Sequence, residues 1–349
     1  MAIQRTNTLI QAQAHVLKKY QTGEIRIVKT GRPHIDATLS GLLPGDIVVI
    51  AGASGAGKTF ELQTLRENIM STELNPDAND YVFLDYSFEM KLFNLILRGI
   101  SRILNKNKKD VLLKEFEPHE GPLVTRYVKT LMDKRFYIEE NPCTPSHFLT
   151  ETRIFLEERR DKRAVFVSID HMGLFKSDAD KKSGIDKVVE DINLLKREFD
   201  NVYFILLSQL NRAILSRIKE KSIESMPNRG DVYQSDTMFQ IADYLIVVQN
   251  PHRLGITEYS RVNPRLYESL EQFFSEGTGI SKKVSFDTLG NIFFHVLKVR
   301  EGEVVFQDIF IEPIESENLT LYKTEKITTK SESFDDLGLN DGDEEDAPF

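Results

Sequence analysis

The sequence is poor in cysteine and lacks long apolar runs. Cys143 is the single cysteine among 349 residues, which excludes an internal disulfide framework and a zinc site built from cysteines. No stretch approaches the 18 apolar residues that suggest a membrane helix, and the first residues carry no apolar core of signal-peptide length. We therefore expect no membrane contact and a reducing, cytoplasmic compartment.

Basic residues are missing from the last part of the chain. Residues 331–349 hold eight acidic side chains and no lysine or arginine, so they account for almost all of the net charge of -9. The rest of the chain is nearly neutral, and any nucleic-acid site must therefore be local. The acidic segment also has too few apolar side chains to fold alone, so we expect disorder there. We divide the chain into a linker or arm (1–24), one folded domain (25–315) and an acidic tail (316–349).

Short apolar runs alternate with helical stretches through the folded domain. The runs show no polar alternation, which is typical of strands covered on both faces. They are Ile47–Ala51, Tyr81–Leu84, Phe136–Ile138, Ala164–Ile169, Val202–Leu207 and Tyr244–Val248. Helical spacing is found at 58–72, 89–105, 146–160 and 184–199. This order predicts an α/β fold with a mostly parallel sheet flanked by helices. Residues 282–312 do alternate, between turn signals, and predict an antiparallel meander at the sheet edge.

Residues 6–20 predict a short amphipathic helix ahead of the folded domain. Leu9, Ala12, Val16 and Tyr20 recur at three- and four-residue spacing. Two interpretations remain open. The helix either covers the core of its own domain or lies as an arm on a neighbouring subunit.

The strongest motif fits the pattern G-x-x-x-x-G-K-[ST] and lies between an apolar strand and a helix. Its glycines let the backbone curl so that several N–H groups point into one concavity, which binds phosphate oxygens. The lysine places a charge on the terminal phosphates, and the threonine offers a hydroxyl to Mg²⁺. The sequence therefore predicts a site for a nucleoside triphosphate. Its residues are Gly52, Ala53, Ser54, Gly55, Ala56, Gly57, Lys58 and Thr59.

Acidic and polar residues follow three of the predicted strands. Ligands of parallel sheets bind beyond the carboxyl ends of the strands, so these residues should lie near the phosphate loop. Asp170 ends an apolar strand, as a Mg²⁺-binding aspartate does. Glu89 is a candidate to polarise the attacking water, although it also suits the start of a helix. Gln209 is a candidate to sense the γ-phosphate and signal to the loop that follows. His171 stands directly after Asp170, where many motors have a catalytic glutamate.

These motifs occur in an order that resembles one family. The phosphate loop, S-F-E-M at 87–90, Asp170, S-Q-L-N-R at 208–212 and K-V-R at 298–300 are similar to the C-terminal ATPase domain of DnaB-type replicative helicases. The resemblance runs from about Thr30 to about Pro313. It implies a P-loop NTPase fold of the RecA-like class, ATP and Mg²⁺ as cofactors, and a bacterial or phage-infected cytoplasm.

The resemblance also implies roles for individual residues. Glu89 would activate water, and Lys298 and Arg300 would form the K-x-R element whose arginine acts on ATP bound by the next subunit. A cation on an edge hairpin is suitably placed to reach a neighbour and to stabilise transition-state charge. The alternative is a solvated basic pair on an exposed strand. The resemblance predicts a homo-oligomer, expected to be a hexameric ring.

Basic residues after the fourth and fifth strands predict a surface for single-stranded DNA. Mobile basic loops at a central channel would bind phosphates without reading bases. An ordinary charged surface loop is the alternative. Tyr233 stands where family members often have an arginine, and it could stack on a base instead. The candidates are Lys176, Lys181, Lys182, Arg212, Arg217, Lys219, Lys221, Arg229 and Tyr233.

The function predicted is an ATP-driven helicase that moves along single-stranded DNA and unwinds duplex. Two alternatives remain: a RecA-like recombinase or ring ATPase that does not unwind, and an ATP-binding loader or scaffold that acts through its acidic tail. A packaging motor is disfavoured because His171 replaces the expected glutamate. The terminal Pro348-Phe349 resembles the tip of bacterial single-stranded-DNA-binding proteins, so the tail either docks replication partners or only aids solubility.

Overall fold

The computed structural model describes most of the central chain. It covers residues 27–313, with gaps at 40, 105, 107, 114–116, 132–134, 177–180, 212–213, 215–216, 218–225, 234, 257, 263–282, 288–290 and 301–308, together with residues 325–326. The predicted helix at 6–20 and the acidic tail at 331–349 lie outside the described residues. The proposed domain boundaries therefore stay predictions.

One mixed sheet forms the centre of the fold. The strands are β1 (Ile47–Gly52), β2 (Tyr81–Ser87), β3 (Phe136–Glu139), β4 (Ala164–Asp170), β5 (Val202–Gln209), β6 (Tyr244–Gln249), β7 (Glu258–Val262), β8 (Lys283–Asp287), β9 (Asn291–Val299), β10 (Ile309–Pro313) and β11 (Glu325–Lys326). Nine of them lie in the order β11-β10-β9-β6-β1-β5-β4-β2-β3. The six from β6 to β3 are parallel, and β9 to β11 are antiparallel. The predicted parallel sheet with an antiparallel edge is confirmed.

The expected edge meander differs in its first strand. β8 does not join the main sheet but pairs with β7, with Glu258 opposite Asp287 and Val262 opposite Lys283. Alternation of apolar and polar residues indicates that a segment is a strand but carries no information on which strand it pairs with. The antiparallel side of the main sheet is instead built by β9, β10 and β11, and Phe294 of β9 lies opposite Phe310 of β10.

Helices flank the sheet between its strands. They are α1 (Pro33–Leu39), α2 (Lys58–Ile69), α3 (Leu92–Ile103), α4 (Lys108–Leu113), α5 (Glu120–Leu131), α6 (Pro145–Glu157), α7 (Lys181–Glu198) and α8 (Ser235–Ile241). α6 begins where its sequence dictates, because Thr144 accepts the N–H of His147 and Pro145 occupies the first turn. Within the described ranges, none of the helices has the length and apolarity to cross a bilayer.

Two apolar layers enclose the sheet. Every residue of β1, β2, β4 and β6 is buried. On one face Val49, Val167 and Phe204 pack with side chains of α6 and α7. On the other face Ile50 and Phe166 pack with side chains of α2. Burial on both faces explains why these strands have no polar alternation. The packed sheet also holds the ends of these strands in place, and the candidate site residues lie at those ends.

A buried ion pair joins the segment before α1 to the first turn of α2. Arg32 is fully buried, and its Nε and Nη2 lie 2.8 Å from the two carboxylate oxygens of Glu61. His34 Nε2 lies 3.3 Å from Glu61 Oε1, and its ring stacks on Phe294 of β9. Burial raises the pKa of Glu61, but the Arg32 charge and the His34 hydrogen bond outweigh it and leave that pKa below its usual value. Arg32, His34 and Glu61 together therefore tie the helix after the phosphate loop to β9.

We expect Glu61→Ala to lower the free energy of unfolding by about 3–5 kcal/mol, because Arg32 would be left as an uncompensated buried charge. Thermal melting at one fixed protein concentration measures the change. Glu157→Ala is the matched control, since its ion pair with Arg160 is more than half exposed and should contribute less than about 1 kcal/mol. Equal melting temperatures for the two variants would show that the buried pair is not stabilising.

Candidate active site

The loop between β1 and α2 curls as the glycine pattern predicts. Gly55 and Gly57 have φ values of 75° and 109°, in the left-handed region that favours glycine. A Cβ on Gly52 would lie 2.7 Å from the carbonyl oxygen of Val248 on β6. The sequence thus needs glycine at position 52 for close strand packing and at positions 55 and 57 for the turn.

Lys58 is buried at the start of α2 and turned onto the loop. Its Nζ donates to the carbonyl oxygens of Gly52 at 2.9 Å and Ala53 at 3.0 Å. Burial lowers the pKa of Lys58, while the negative charges of Glu89 and Asp170 act to raise it. The cation therefore lies in the loop with two carboxylates in electrostatic reach, where an incoming phosphate can replace its bonds to the backbone.

Thr59 and Asp170 meet at the end of β4. The Thr59 hydroxyl donates to Oδ2 of Asp170 at 2.8 Å. Oδ1 of Asp170 is buried and has no hydrogen-bond partner within the described ranges. Burial raises the pKa of Asp170 to about 6, partly offset by the Thr59 hydrogen bond and reinforced by the nearby Glu89 charge. A buried carboxylate with an unsatisfied oxygen beside a hydroxyl matches the hard oxygen donors that Mg²⁺ prefers.

The described residues include no cluster of three or more His, Cys, Asp or Glu that could hold a metal ion. Thr59 and Asp170 would therefore supply only part of a coordination shell. Phosphate oxygens and water commonly complete such shells around Mg²⁺.

We expect Asp170→Asn to stabilise the metal-free protein at pH 8. The folded state raises the pKa of this carboxyl from 3.8 to about 6, so Asp170 favours folding below pH 4 and loses that contribution as pH rises towards 6. Asparagine removes the buried charge, with a gain of up to about 3 kcal/mol at pH 8 and little at pH 4. Melting curves in EDTA at both pH values measure this. A gain that is the same at the two values would contradict the electrostatic cause.

The turn after β2 presents Glu89 beside Asp170. The N–H groups of Phe88 and Glu89 donate to the Asp170 carbonyl at 2.8 and 3.3 Å. Ser87 Oγ donates to the carbonyl of Met90 at 2.8 Å and closes the turn. The Glu89 side chain is exposed, and its charge contributes to the raised pKa of Asp170 and opposes the lowering of the Lys58 pKa by burial. A carboxylate held by backbone bonds next to the phosphate loop has the position that a general base requires.

Gln209 ends β5, where it is the register partner of Gly52 on β1. Its side-chain amide lies 3.2 Å from Nε2 of His171. Its carbonyl accepts the N–H of Tyr233 at 2.8 Å. Asn211 Nδ2 donates to the carbonyls of residues 230 and 232, at 3.0 and 3.3 Å. The strand end is therefore tied on one side to the phosphate loop and on the other to the segment around Tyr233.

Two features of the site carry no sequence motif. Arg253 Nη1 donates to the carbonyl of Gly55 at 2.9 Å, although 198 positions separate the two residues. Asn250 accepts the N–H of Arg253 and fixes the turn after β6. A lone arginine after a strand gives no signal of this contact. The second feature is the buried pair of Arg66 and Asp85, 2.6 Å apart, which joins α2 to β2.

Lys298 and Arg300 lie at the opposite end of the parallel strands from the phosphate loop. Lys298 pairs with Leu245 near the start of β6, and the Arg300 N–H donates to the Asp243 carbonyl at 2.8 Å. The Arg300 guanidinium contacts the Asp243 carboxylate at 2.7 Å and the Gln240 carbonyl at 2.7 Å. Burial and repulsion by Arg300 lower the pKa of Lys298. The structure therefore does not bring Arg300 to the phosphate loop of its own chain.

The candidate DNA residues have different environments. Arg217 forms an ion pair with the buried Asp231, and Arg229 contacts Asp236 at 3.2 Å and lies over the ring of Phe239. Tyr233 is half-buried against the core. Lys176 and Lys182 are exposed, and Lys181 begins α7. Arg212, Lys219 and Lys221 lie outside the described residues.

The sequence is similar to a known protein family. The family model of the DnaB-like helicase C terminal domain matches residues 27–281. The replicative DNA helicases DnaB of Buchnera aphidicola (subsp. Baizongia pistaciae) and Geobacillus stearothermophilus are each 24% identical over 226 residues, which cover 63% of this chain and 46% of each relative. The chain thus spans about half the length of the curated relatives it matches.

Solved structures agree on the fold. One of them, an ATPase domain, superposes with a TM-score of 0.64 at 18% identity, covering 89% of this chain and 98% of that one. A DnaB-like replicative helicase, solved to show its interactions with primase, gives a TM-score of 0.59 at 18% identity, covering 87% and 64%. The family model covers well over half of the chain and includes the phosphate loop, Glu89, Asp170 and Gln209. This chain therefore belongs to the DnaB-like helicase C-terminal domain family.

Proposed function

We propose that this chain is the ATPase motor of a ring-forming DNA helicase. The observation that carries the proposal is the separation of two sets of residues in one chain. Lys58, Thr59, Glu89 and Asp170 meet at one end of the parallel strands, whereas Arg300 lies at the other. When subunits associate head to tail, Arg300 of one subunit can reach the phosphate loop of the next. Head-to-tail association that closes on itself gives a ring.

The proposed site uses ATP and Mg²⁺. The main-chain N–H groups of 53–59 and the Lys58 ammonium bind the phosphates, since both present positive charge to the same concavity. Thr59 and Asp170 hold Mg²⁺, which when bound neutralises charge on the phosphate oxygens. Glu89 accepts a proton from the attacking water, because its carboxylate is exposed beside Asp170 and Lys58. Arg300 of the neighbouring subunit stabilises the charge that develops on the terminal phosphate.

The proposed substrate of movement is single-stranded DNA. The Gln209 carbonyl accepts the N–H of Tyr233. A movement of Gln209 when the terminal phosphate binds or leaves would therefore act directly on the loop that follows β5, which carries the candidate DNA-binding residues. Lys176 and Lys182 are exposed at the same carboxyl end of the sheet, after β4 and at the start of α7. Positive side chains at that end suit a nucleic-acid backbone.

We expect the double variant Lys176→Ala, Lys182→Ala to weaken single-stranded DNA binding. The plot of log affinity against log salt has a negative slope, and each phosphate-binding lysine contributes about 0.7 to its magnitude, so the double variant should reduce that magnitude by about 1.4. Filter binding or fluorescence anisotropy across a salt series measures the slope. Lys187→Ala on the same helix is the control, because its charge is already paired with Glu190 and Asp191, each at 3.2 Å. An unchanged slope in the double variant would remove these lysines from the DNA surface.

ATP hydrolysis with and without single-stranded DNA, on protein of known mass in solution, tests the proposal. We expect an oligomer whose turnover rises with DNA and which displaces an annealed strand. DNA-stimulated turnover without displacement would favour a ring ATPase that does not unwind. ATP binding with negligible turnover would favour a loader or scaffold. Full ATPase activity of a monomer would contradict a site that needs Arg300 of a second subunit. Docking of replication proteins on Pro348-Phe349 also stays a prediction.

A further inference from the structure

His171 is held rigidly at the end of β4. It caps the short helical turn Met172–Leu174, and its Nδ1 accepts the N–H of Gly173 at 3.1 Å. A Cβ on Gly173 would lie 3.0 Å from Cε1 and 3.2 Å from Nδ1 of the same ring. The turn therefore leaves the imidazole little freedom to rotate.

This contact determines which ring nitrogen carries the hydrogen. A backbone N–H can only donate, so Nδ1 of His171 uses its lone pair as the acceptor. The hydrogen of the neutral ring is then on Nε2, which becomes a donor. The group facing Nε2, at 3.2 Å, is the side-chain amide of Gln209.

The ring fixes the orientation of that amide. An N–H donor needs an oxygen opposite it, and the amide NH₂ group cannot accept. A half-turn of the amide exchanges its nitrogen and oxygen with almost no change in shape. The structure places the amide nitrogen of Gln209 3.2 Å from Nε2 of His171. Two donors cannot bond to each other, so the half-turn that puts Oε1 against Nε2–H satisfies the pair and directs the NH₂ group away from the ring.

We infer that His171 is a positioning residue that holds the Gln209 amide so that its two N–H donors face the terminal phosphate of bound ATP. Gln209 is the strand neighbour of Gly52, the first residue of the phosphate loop, and its backbone is bonded to Tyr233. When the amide is held in this orientation, its NH₂ group donates hydrogen bonds to the terminal phosphate if ATP is bound and loses them if the phosphate is absent. This inference rests on the proposed ATPase function.

A double-mutant cycle on the kcat of DNA-stimulated ATP hydrolysis tests the pairing. His171→Phe keeps a planar ring but removes the donor, and we expect a fall of about tenfold, the order of one hydrogen bond. In the Gln209→Ala background the same change should have little further effect, because the group it positions is absent. His171→Gln, whose amide can donate to Oε1 and accept from Gly173, should recover most of the activity. Equal fold-changes in the two backgrounds would overturn the inference, since a merely structural role of His171 is independent of Gln209.

Folding and the proposed function are checked separately. Melting temperatures of all variants show whether His171→Phe is folded; if it is not, the cycle is run with His171→Gln against His171→Asn, whose shorter amide should not reach Gln209. Wild-type protein without ATPase activity would contradict the proposed function itself. The cycle is then measured as affinity for a non-hydrolysable ATP analogue. If the His171 substitution changes that affinity equally with and without Gln209→Ala, the inference is again overturned.

Discussion

Glu89→Gln is expected to lower the kcat of ATP hydrolysis by about 10²–10⁴-fold while ATP still binds. Glutamine preserves the size of the side chain and the backbone bonds of the turn, which run from Phe88 and Glu89 to the Asp170 carbonyl. It removes the one group at this position that can take a proton from water. The decrease should therefore appear in the chemical step rather than in affinity.

The measurements for Glu89→Gln are steady-state turnover and equilibrium binding of a fluorescent ATP analogue. The charge of Glu89 also acts on Lys58 and Asp170, so a modest tightening of nucleotide binding is consistent with the removal of one negative charge. Glu157→Gln, an exposed carboxylate on α6, is the control for the amide substitution. If the kcat of Glu89→Gln is within a few-fold of the wild-type value, Glu89 is not the general base.

Local motifs made the candidate site at the carboxyl end of the parallel strands predictable. The phosphate loop, Glu89 and Asp170 each follow an apolar strand, and parallel strands bring their carboxyl ends together. The sequence therefore predicted their proximity without any knowledge of side-chain contacts. The structure adds the Thr59–Asp170 hydrogen bond of 2.8 Å and the burial of Asp170.

Long-range pairings were not predictable from the same patterns. Arg253 reaches Gly55 across the ends of two adjacent strands, and nothing in the residues around it indicates a partner 198 positions away. β8 has the alternation of a sheet strand but pairs with β7. Composition also cannot separate a cation paired within the chain, such as Arg217 with Asp231, from an exposed one, such as Lys182. In each case the outcome depends on which chain segment is adjacent in space.

The position of Arg300 bears on the proposal that a neighbouring subunit completes the site. Its N–H is bonded to Asp243, next to the start of β6, while the phosphate loop begins at Gly52, at the far end of β1. About five residues of strand separate these levels, or roughly 17 Å at about 3.3 Å per residue. An arginine side chain anchored to Asp243 and Gln240 cannot cover that distance within its own subunit.

Arg300→Ala is accordingly expected to reduce the kcat of the assembled protein by about 10³–10⁵-fold, the range known for arginines that stabilise phosphoryl-transfer charge. Arg153→Ala is the control, because it removes a comparably exposed ion pair, with Glu198, on the helical layer. Sedimentation of both variants must show intact oligomers. A fall in activity that follows dissociation would indicate a role in assembly instead.

Mixing Arg300→Ala subunits with Lys58→Ala subunits separates catalysis across the interface from catalysis within one chain. We expect neither variant to be active alone, because one lacks the arginine and the other lacks the phosphate-loop lysine. In rings assembled at random from equal amounts, about a quarter of the interfaces join an intact loop to an intact arginine, and ATP hydrolysis should return in that proportion. If both groups served one chain, no mixture would contain a complete site, and activity would stay absent at every ratio. The recovered fraction therefore measures directly whether Arg300 acts on the nucleotide of the neighbouring subunit.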